Sequence, residues 1–280
     1  MAFLNDEKKL EIITKFLLDS PPGEVNDVYN DLRSLMNNPV VFKEGVLTAL
    51  EQYNTEQFVT VTPPGQEHNV IISKYGQIEP NIFVDPKSHQ KFRFDHMQQV
   101  ATDPEPYEPD EATEPLRAAL ETAVQNYITD HYPDGIATVY STQDSTLTIA
   151  IVDNKYNPDN FWNGRWRSAW VITPTTGEIK GTVKVNVHYF EDGNVQLNTE
   201  KTHDGTVKID AENPETAAAA IAKYIHKVED DFQKSLNDAY IELNENTFKE
   251  LRRALPLTRH KIDWDKIMNY KIGQELAGRE

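Results

Sequence analysis

From Gly135 onward the apolar residues of this 280-residue chain alternate with polar ones, and beyond Pro214 they step by three or four through Ile221, Ile225, Val228, Phe232, Leu236, Ala239 and Leu243. Alternation belongs to pleated strands, whose side chains point to two faces in turn, and the longer step belongs to one helix carrying a single stripe. Over 165–173, Trp166, Trp170 and Ile172 share a face against Arg165, Arg167 and Val171. Over 179–190, Ile179, Val183, Val185, Val187 and Tyr189 oppose Lys180, Lys184, Asn186 and His188. Thr175-Thr176-Gly177 and Glu191-Asp192-Gly193-Asn194 supply turns between these strands. With 136–141 and 146–152 ahead and 195–200 behind, the spacing predicts a five-stranded antiparallel meander with one apolar face to be covered.

The helix that starts near Pro214, a residue suited to a first helical turn, is the expected cover. Roughly 30 residues at ~1.5 Å each give ~45 Å of helix. Five strands at ~4.8 Å spacing give a sheet only ~24 Å wide. A helix crossing the strands therefore leaves about half of its stripe with nothing of this chain beneath it, and the last strand leaves an edge open to pairing. A similar second subunit that extends the sheet removes both deficits. A helix running along the strands, or overhanging into solvent, satisfies the same pattern.

Ahead of the sheet, three helices are expected in the first fifty residues. Leu10, Ile13, Phe16 and Leu17 repeat at helical spacing, as do Val25, Val28, Leu32 and Leu35, and then Phe42, Val46, Leu50 and Tyr53. Short connections at Ser20-Pro21-Pro22-Gly23 and Asn37-Asn38-Pro39 make them antiparallel neighbours. Residues 57–62, 69–73 and 81–85 are short strand candidates. Residues 102–115 hold four prolines among six carboxylates and read as a surface linker ahead of a helix over 116–131. The chain thus divides into a three-helix segment (1–55), a small strand and linker region (56–115), a helix, sheet and long-helix region suited to dimerisation (116–245), and a carboxy-terminal arm (246–280). The fold class is α+β.

The chain contains no cysteine, which removes disulfides, thiolate zinc sites and thiol nucleophiles together. No signal-length apolar run follows the amino terminus, so a soluble, non-exported, cytosolic protein is expected. Asp153, Asn154, Asn157 and Asp159 resemble a calcium loop in composition but lack its central glycine and its bidentate glutamate. His131, His188 and His203 lie on different elements without metal-site spacing. No nucleophile elbow, phosphate-cradling glycine loop or zinc-protease motif is present, so no enzyme, cofactor or metal is expected. The aromatic and basic residues from Phe161 to Arg167 interleave as in single-strand nucleic-acid binders. The alternation makes Trp166 and Trp170 core instead, opposite arginines that can pair with carboxylates, and an acidic body repels a polyanion. No nucleic acid is expected as a partner.

The net charge of −17 is unevenly placed, for residues 246–274 hold 7 Lys and Arg against 3 Asp and Glu. A basic arm on an acidic body suggests a negatively charged partner. Asn246 can cap a short helix over 247–255 in which Phe248, Leu251 and Leu255 share one face and Lys249 and Arg253 the other, and Pro256 ends it. Asp263 can cap a second, closed by Gly273, with Trp264, Ile267 and Met268 in one arc and Lys271 snorkelling from the same sector. Each is shorter than the ~12–15 residues that hold in water, so each needs a surface to lie on. On these residues alone a docked arm with a solvated charged side is the favoured reading and a binding arm the alternative.

Three ordered segments go further. Lys15-Phe16-Leu17-Leu18-Asp19-Ser20-Pro21-Pro22-Gly23-Glu24 with Asn30-Asp31-Leu32-Arg33, the central runs 160–168 and 187–197, and the string from Leu251 to Gly273 together resemble the alpha subunit of F-actin capping protein. The likeness spans most of the chain and fades over 149–159 and 202–212. It implies an obligate heterodimer with the capping protein beta subunit, with a joint sheet under two long antiparallel helices. It also implies calcium-independent binding to the barbed end of the actin filament, which blocks gain and loss of subunits, and a place in the cytoplasm at the cortical actin cytoskeleton. Carried over residue by residue, it makes Lys249, Arg253 and Arg259 the principal basic contacts to actin, with Lys261, Lys266, Trp264 and Ile267 as secondary ones. Myotrophin-like inhibitors, proteins with the capping-protein-interaction motif and phosphoinositides are the regulators it suggests. A reading from another class is a heterodimeric adaptor whose basic arm docks an acidic protein without capping.

Overall fold

The computed structural model describes residues 5–36, 38–142, 145–191, 194–210 and 212–243. Three helices open the chain, α1 (Asp6–Leu18), α2 (Val25–Leu35) and α3 (Pro39–Glu56). Asn5 caps α1 through the Lys8 amide, and Asn38 caps α3 through the Val41 amide ahead of Pro39 at its first position. Ile13, Leu17, Leu32, Phe42, Val46 and Tyr53 form their common core. Phe16 and Leu35, expected in that core, are instead 57% and 77% exposed. At ~100° per residue Leu10 and Leu17 fall on one side of Ile13 and Phe16 on the other. Leu35 ends α2, and the next residue, Met36, is the buried one.

The region after α3 is more ordered than its composition suggests. β1 (Thr60–Val61) pairs with β2 (Val70–Ile71), and β3 (Gln77–Glu79), β4 (Ile82–Asp85), β5 (Gln90–Asp95) and β6 (Val100–Pro106) make a four-stranded sheet in chain order. The predicted linker over 102–115 is corrected here, since its first five residues belong to β6. An edge strand needs few inward side chains and tolerates proline at a bulge. The register slips between Lys91 and Arg93, where Asp103 takes a positive φ of 51° beside Pro104. Across the pair, Lys91 reaches Glu105 at 3.0 Å and Arg93 reaches Asp103 at 3.7 Å. The carboxylates that looked like linker chemistry thus cover an edge.

α4 (Glu114–His131) leads into the five-stranded antiparallel sheet of β7 (Ile136–Ser141), β8 (Leu147–Asn157), β9 (Trp162–Thr173), β10 (Glu178–Tyr189) and β11 (Val195–Thr206). The meander is as the alternation predicts, with β8 and β11 running several residues further than the apolar pattern reaches. Gly177, at φ 71°, closes the β9–β10 turn and has no room for a side chain against the Val207 carbonyl. The hairpin tip at 192–193 lies outside the described residues.

Both faces of the sheet are covered on its β7–β8 side, not one. Ile149 and Ile151 point one way, and Ala150 and Val152 the other, all at most 1% exposed. The second pair packs with Phe58, Ile71, Val84, Tyr140 and Ala169, so the β1–β4 region is the second cover. The unbroken apolar run from Ile149 to Val152 is the sequence mark of such a doubly buried strand.

α5 (Pro214–Glu242) is a single helix of 29 residues, about 43 Å at 1.5 Å per residue. The chain divides into two compact units within it, residues 1–229 and 230–280. In the first unit α5 buries Ala217, Ala218, Ile221, Ala222 and Ile225. No helix among the described residues is long and apolar enough to cross a membrane.

Candidate functional site

The sheet and α5 are fixed to each other by polar contacts within an apolar layer. Trp170 of β9 donates its indole N–H to Glu229 Oε1 at 2.9 Å, and Tyr127 and Tyr132 each donate a hydroxyl to Glu229 Oε2 at 2.7 Å. Glu229 is fully buried, and burial together with Glu229 pushes the Tyr132 phenol far above its usual range. Toward the start of α5, the Tyr224 hydroxyl meets His203 Nε2 of β11 at 2.7 Å. That hydroxyl stands over Gly205, where any Cβ would collide with it. The apolar stripe read from the sequence does not include Glu229. The signal was there, because a glutamate four residues after Ile225 falls inside the apolar stripe.

These anchors lie at one end of the α5-facing surface, and the other end of that surface is open. Along β10 the α5-facing residues run from Ile179 and Val183, at most 2% exposed, through half-buried Val185 and Val187 to exposed Tyr189. Their partners on β11 include half-buried Leu197 and, at 62% exposure, Val195. β11 is the terminal strand of the order and pairs on one side with β10. The opposite terminal strand, β7, is instead covered from within the chain, where Thr138 Oγ1 accepts from the Ile71 amide and Tyr140 donates to the Ile71 carbonyl. β7 is thus tied to β2 on the sheet face, while β11 presents a 12-residue terminal strand flanked by an apolar surface.

In the second unit, the α5 stripe is buried at Phe232, half-buried at Leu236 and exposed at Ala239 and Leu243, with Tyr240 and Ile241 also about half exposed. Lys249, Arg253, Arg259, Lys261, Trp264, Lys266 and Ile267, the residues expected to contact actin, lie outside the described residues.

The opposite sheet face holds Arg165 and Arg167, each 6% exposed. The expected pairing with carboxylates is corrected here. Arg165 donates to Asn154 Oδ1 at 2.6 Å, to Gln57 Oε1 at 3.1 Å and to the Tyr156 hydroxyl at 2.6 Å. Arg167 donates to the Glu56 carbonyl and to Asn186 Oδ1. Alternation places these side chains under the β1–β4 side of the sheet, where the acceptors within hydrogen-bond distance are neutral. Two residues of the calcium-like run have structural duties here, Asn154 on Arg165 and Asn157 on the Asn160 side chain. Nearby, His188 Nδ1 and Glu24 Oε1 are 2.7 Å apart, joining the loop before α2 to β10. Among the described residues no cluster of three His, Cys, Asp or Glu could hold a metal ion.

Comparison with known proteins identifies a family. The sequence model described as F-actin capping protein alpha subunit matches residues 13–275. The F-actin-capping protein subunit alpha of Caenorhabditis elegans is 37% identical over 282 residues, covering 99% of this chain and 100% of that protein. Its counterpart in Chaetomium thermophilum is 38% identical over 273 residues, covering 95% of each. The solved structure of the homodimeric actin capping protein alpha subunit from Plasmodium berghei superposes with a TM-score of 0.76 over 91% of this chain and 99% of that one, at 23% identity. The shared fold at low identity and the full-length match at higher identity agree, and the chain belongs to the F-actin capping protein alpha subunit family.

Proposed function

We propose that this chain is the alpha subunit of a heterodimer that binds the barbed end of actin filaments, independently of calcium, and blocks addition and loss of subunits. The observation that carries the reading is the family match, which runs to residue 275 and so takes in the basic arm. The terminal place of β11 in the sheet order of the described residues, the open end of the α5-facing surface and the exposed stripe of α5 in the second unit support a partner, the beta subunit, that extends the sheet and covers apolar area. Residues 246–280 form the actin-binding arm, with Lys249, Arg253 and Arg259 as the main contacts and Lys261, Trp264, Lys266 and Ile267 beside them. Its excess positive charge suits the acidic actin surface and accelerates encounter, while the apolar residues slow release. The arm catalyses nothing in this reading. Cytoplasmic, cortical actin is its expected place, and myotrophin-like inhibitors, proteins with the capping-protein-interaction motif and phosphoinositides are its expected regulators.

Seeded actin elongation tests it. The heterodimer should stop barbed-end growth at amounts far below the actin concentration. An adaptor that only docks an acidic protein would leave elongation unchanged, and that result would overturn the capping reading.

A further inference from the structure

A cavity of about 370 Å³ opens on the sheet face opposite α5, between Arg167 of β9, Thr182 and Lys184 of β10, and Phe58, Lys74 and Tyr75 of the segment after α3. Arg167 is 94% buried by its 6% exposure, yet its only described acceptors are neutral, the Glu56 carbonyl and Asn186 Oδ1 at 2.6 Å. Its Nε is buried without a partner. A buried guanidinium ordinarily finds a carboxylate or phosphate, because desolvating a cation without a counter-charge is costly. Arg165 on the same face sharpens the deficit, since it is equally buried and also bonds only neutral groups. Burial, and then the Arg165 charge, lower the Arg167 pKa to about 10, which leaves it protonated at neutral pH.

Two further cations stand at the mouth. Lys74 Nζ lies 5.2 Å from the Tyr75 ring centre, and Lys184 Nζ pairs with Glu200 at 3.1 Å. The carboxylates lining the cavity are Glu56 and Glu200. Glu56 accepts from Gln52 Nε2 at 2.9 Å and Glu200 pairs with Lys184, and both charges favour the Arg167 cation through space without an ion pair to it. Three cations thus face two carboxylates, one of them paired with Lys184, around an unpaired buried donor.

We propose that this cavity is an oxyanion site for a tetrahedral dianion of the phosphate class, taken either as the free ion or as the head of a small soluble ester. The Arg167 fork holds the oxygens from below, Lys74 and Lys184 close over them from the mouth, and the Thr182 hydroxyl at the wall is a further donor. The site is independent of actin binding, since none of its residues belongs to the arm.

The test uses the full chain purified with its partner subunit, so that its outcome does not depend on capping. Inorganic phosphate and glycerol 2-phosphate are titrated separately against chloride at matched ionic strength, reading melting temperature and the phosphorus-31 line width. A ligand that binds only the folded state raises the melting temperature, here by about 2 °C or more at a concentration well above Kd. A larger shift with inorganic phosphate assigns the free ion, a larger shift with the ester assigns an ester-borne group, and either supports the site. The Lys74→Gln/Lys184→Gln double variant, altered only at the exposed mouth, should lose at least about half of the shift, because two of the three cations are removed. The Lys223→Gln/Lys227→Gln control on the exposed side of α5 should keep it. Arg167→Lys should lose it too, and if that variant does not fold the mouth variant still decides. No shift beyond that of chloride with either probe, or a full shift in the mouth variant, overturns the proposal.

Discussion

Trp170 and Glu229, 59 residues apart in sequence, meet across 2.9 Å through an indole N–H and a carboxyl oxygen that are both sealed from solvent. The same carboxyl accepts from Tyr127 in α4 and from Tyr132 just after it, so one side chain ties together the sheet, α4 and α5. An apolar helix face could slide by a turn on an apolar sheet. A buried acceptor with three donors has one position in which all are satisfied.

Glu229→Ala should therefore destabilise the fold by about 3 kcal/mol or more, since it opens a void and leaves three buried donors without their acceptor. Glu229→Gln keeps the shape and one carbonyl acceptor and should cost roughly 1–2 kcal/mol. Calorimetric melts of the two variants check this, and equal melting temperatures for both and the parent would refute the locking role.

A second expectation concerns pH. His96 is buried against Phe83 and Phe94, and burial holds its pKa below the usual 6.5, with Glu51 and Asp95 opposing weakly. Asn54 Nδ2 donates to the His96 carbonyl at 2.9 Å and approaches its Nδ1 at 3.3 Å, an arrangement suited to a neutral ring. The folded state then binds fewer protons than the unfolded one. Its stability is fully present above pH 6.5 and declines as the pH falls from there through the folded pKa. A His96→Gln variant should flatten that decline in urea melts between about pH 7 and pH 5.

Val195 and Leu197 on the terminal strand β11 should matter for assembly. Replacing both with Asp places charges beside the edge that we propose the partner covers, and such charges discourage strand pairing. Co-purification of the beta subunit should fall by about tenfold or more, a change of roughly 1.4 kcal/mol or greater. Unchanged yield of the complex would place the interface elsewhere.

The arm should be separable from the body. Deleting 246–280 should leave circular dichroism and heterodimer formation intact while capping weakens by orders of magnitude. Reversing Lys249, Arg253 and Arg259 should slow association and flatten its salt dependence, because steering acts over a Debye length of ~8 Å at physiological salt. Trp264→Ala and Ile267→Ala should raise the dissociation rate instead, since apolar contact has short range. On-rates and off-rates at two ionic strengths separate the effects. Wild-type kinetics in the triple reversal would remove these three positions from the actin contact.

Much of this architecture is written in the chain itself. The period-two runs from Gly135 and the stripe from Ile221 specify strands and helix because each pattern can bury its apolar atoms in only one kind of element. The order of the meander follows from short turns such as Thr175-Thr176-Gly177, which leave consecutive strands no choice but to be neighbours. The family is legible too, since long ordered matches survive where single residues vary. What local pattern cannot carry is contact between distant segments. Nothing near Glu229 in sequence announces Trp170, Tyr127 and Tyr132, and nothing near Arg167 announces that its neighbours will be neutral. Nor could the prolines and acids of 102–106 reveal an edge strand, because the lysine and arginine that balance them arrive from β5. Those outcomes depend on which side chains the folded backbone brings within a few ångströms, and hydrogen bonding and desolvation act only at that range.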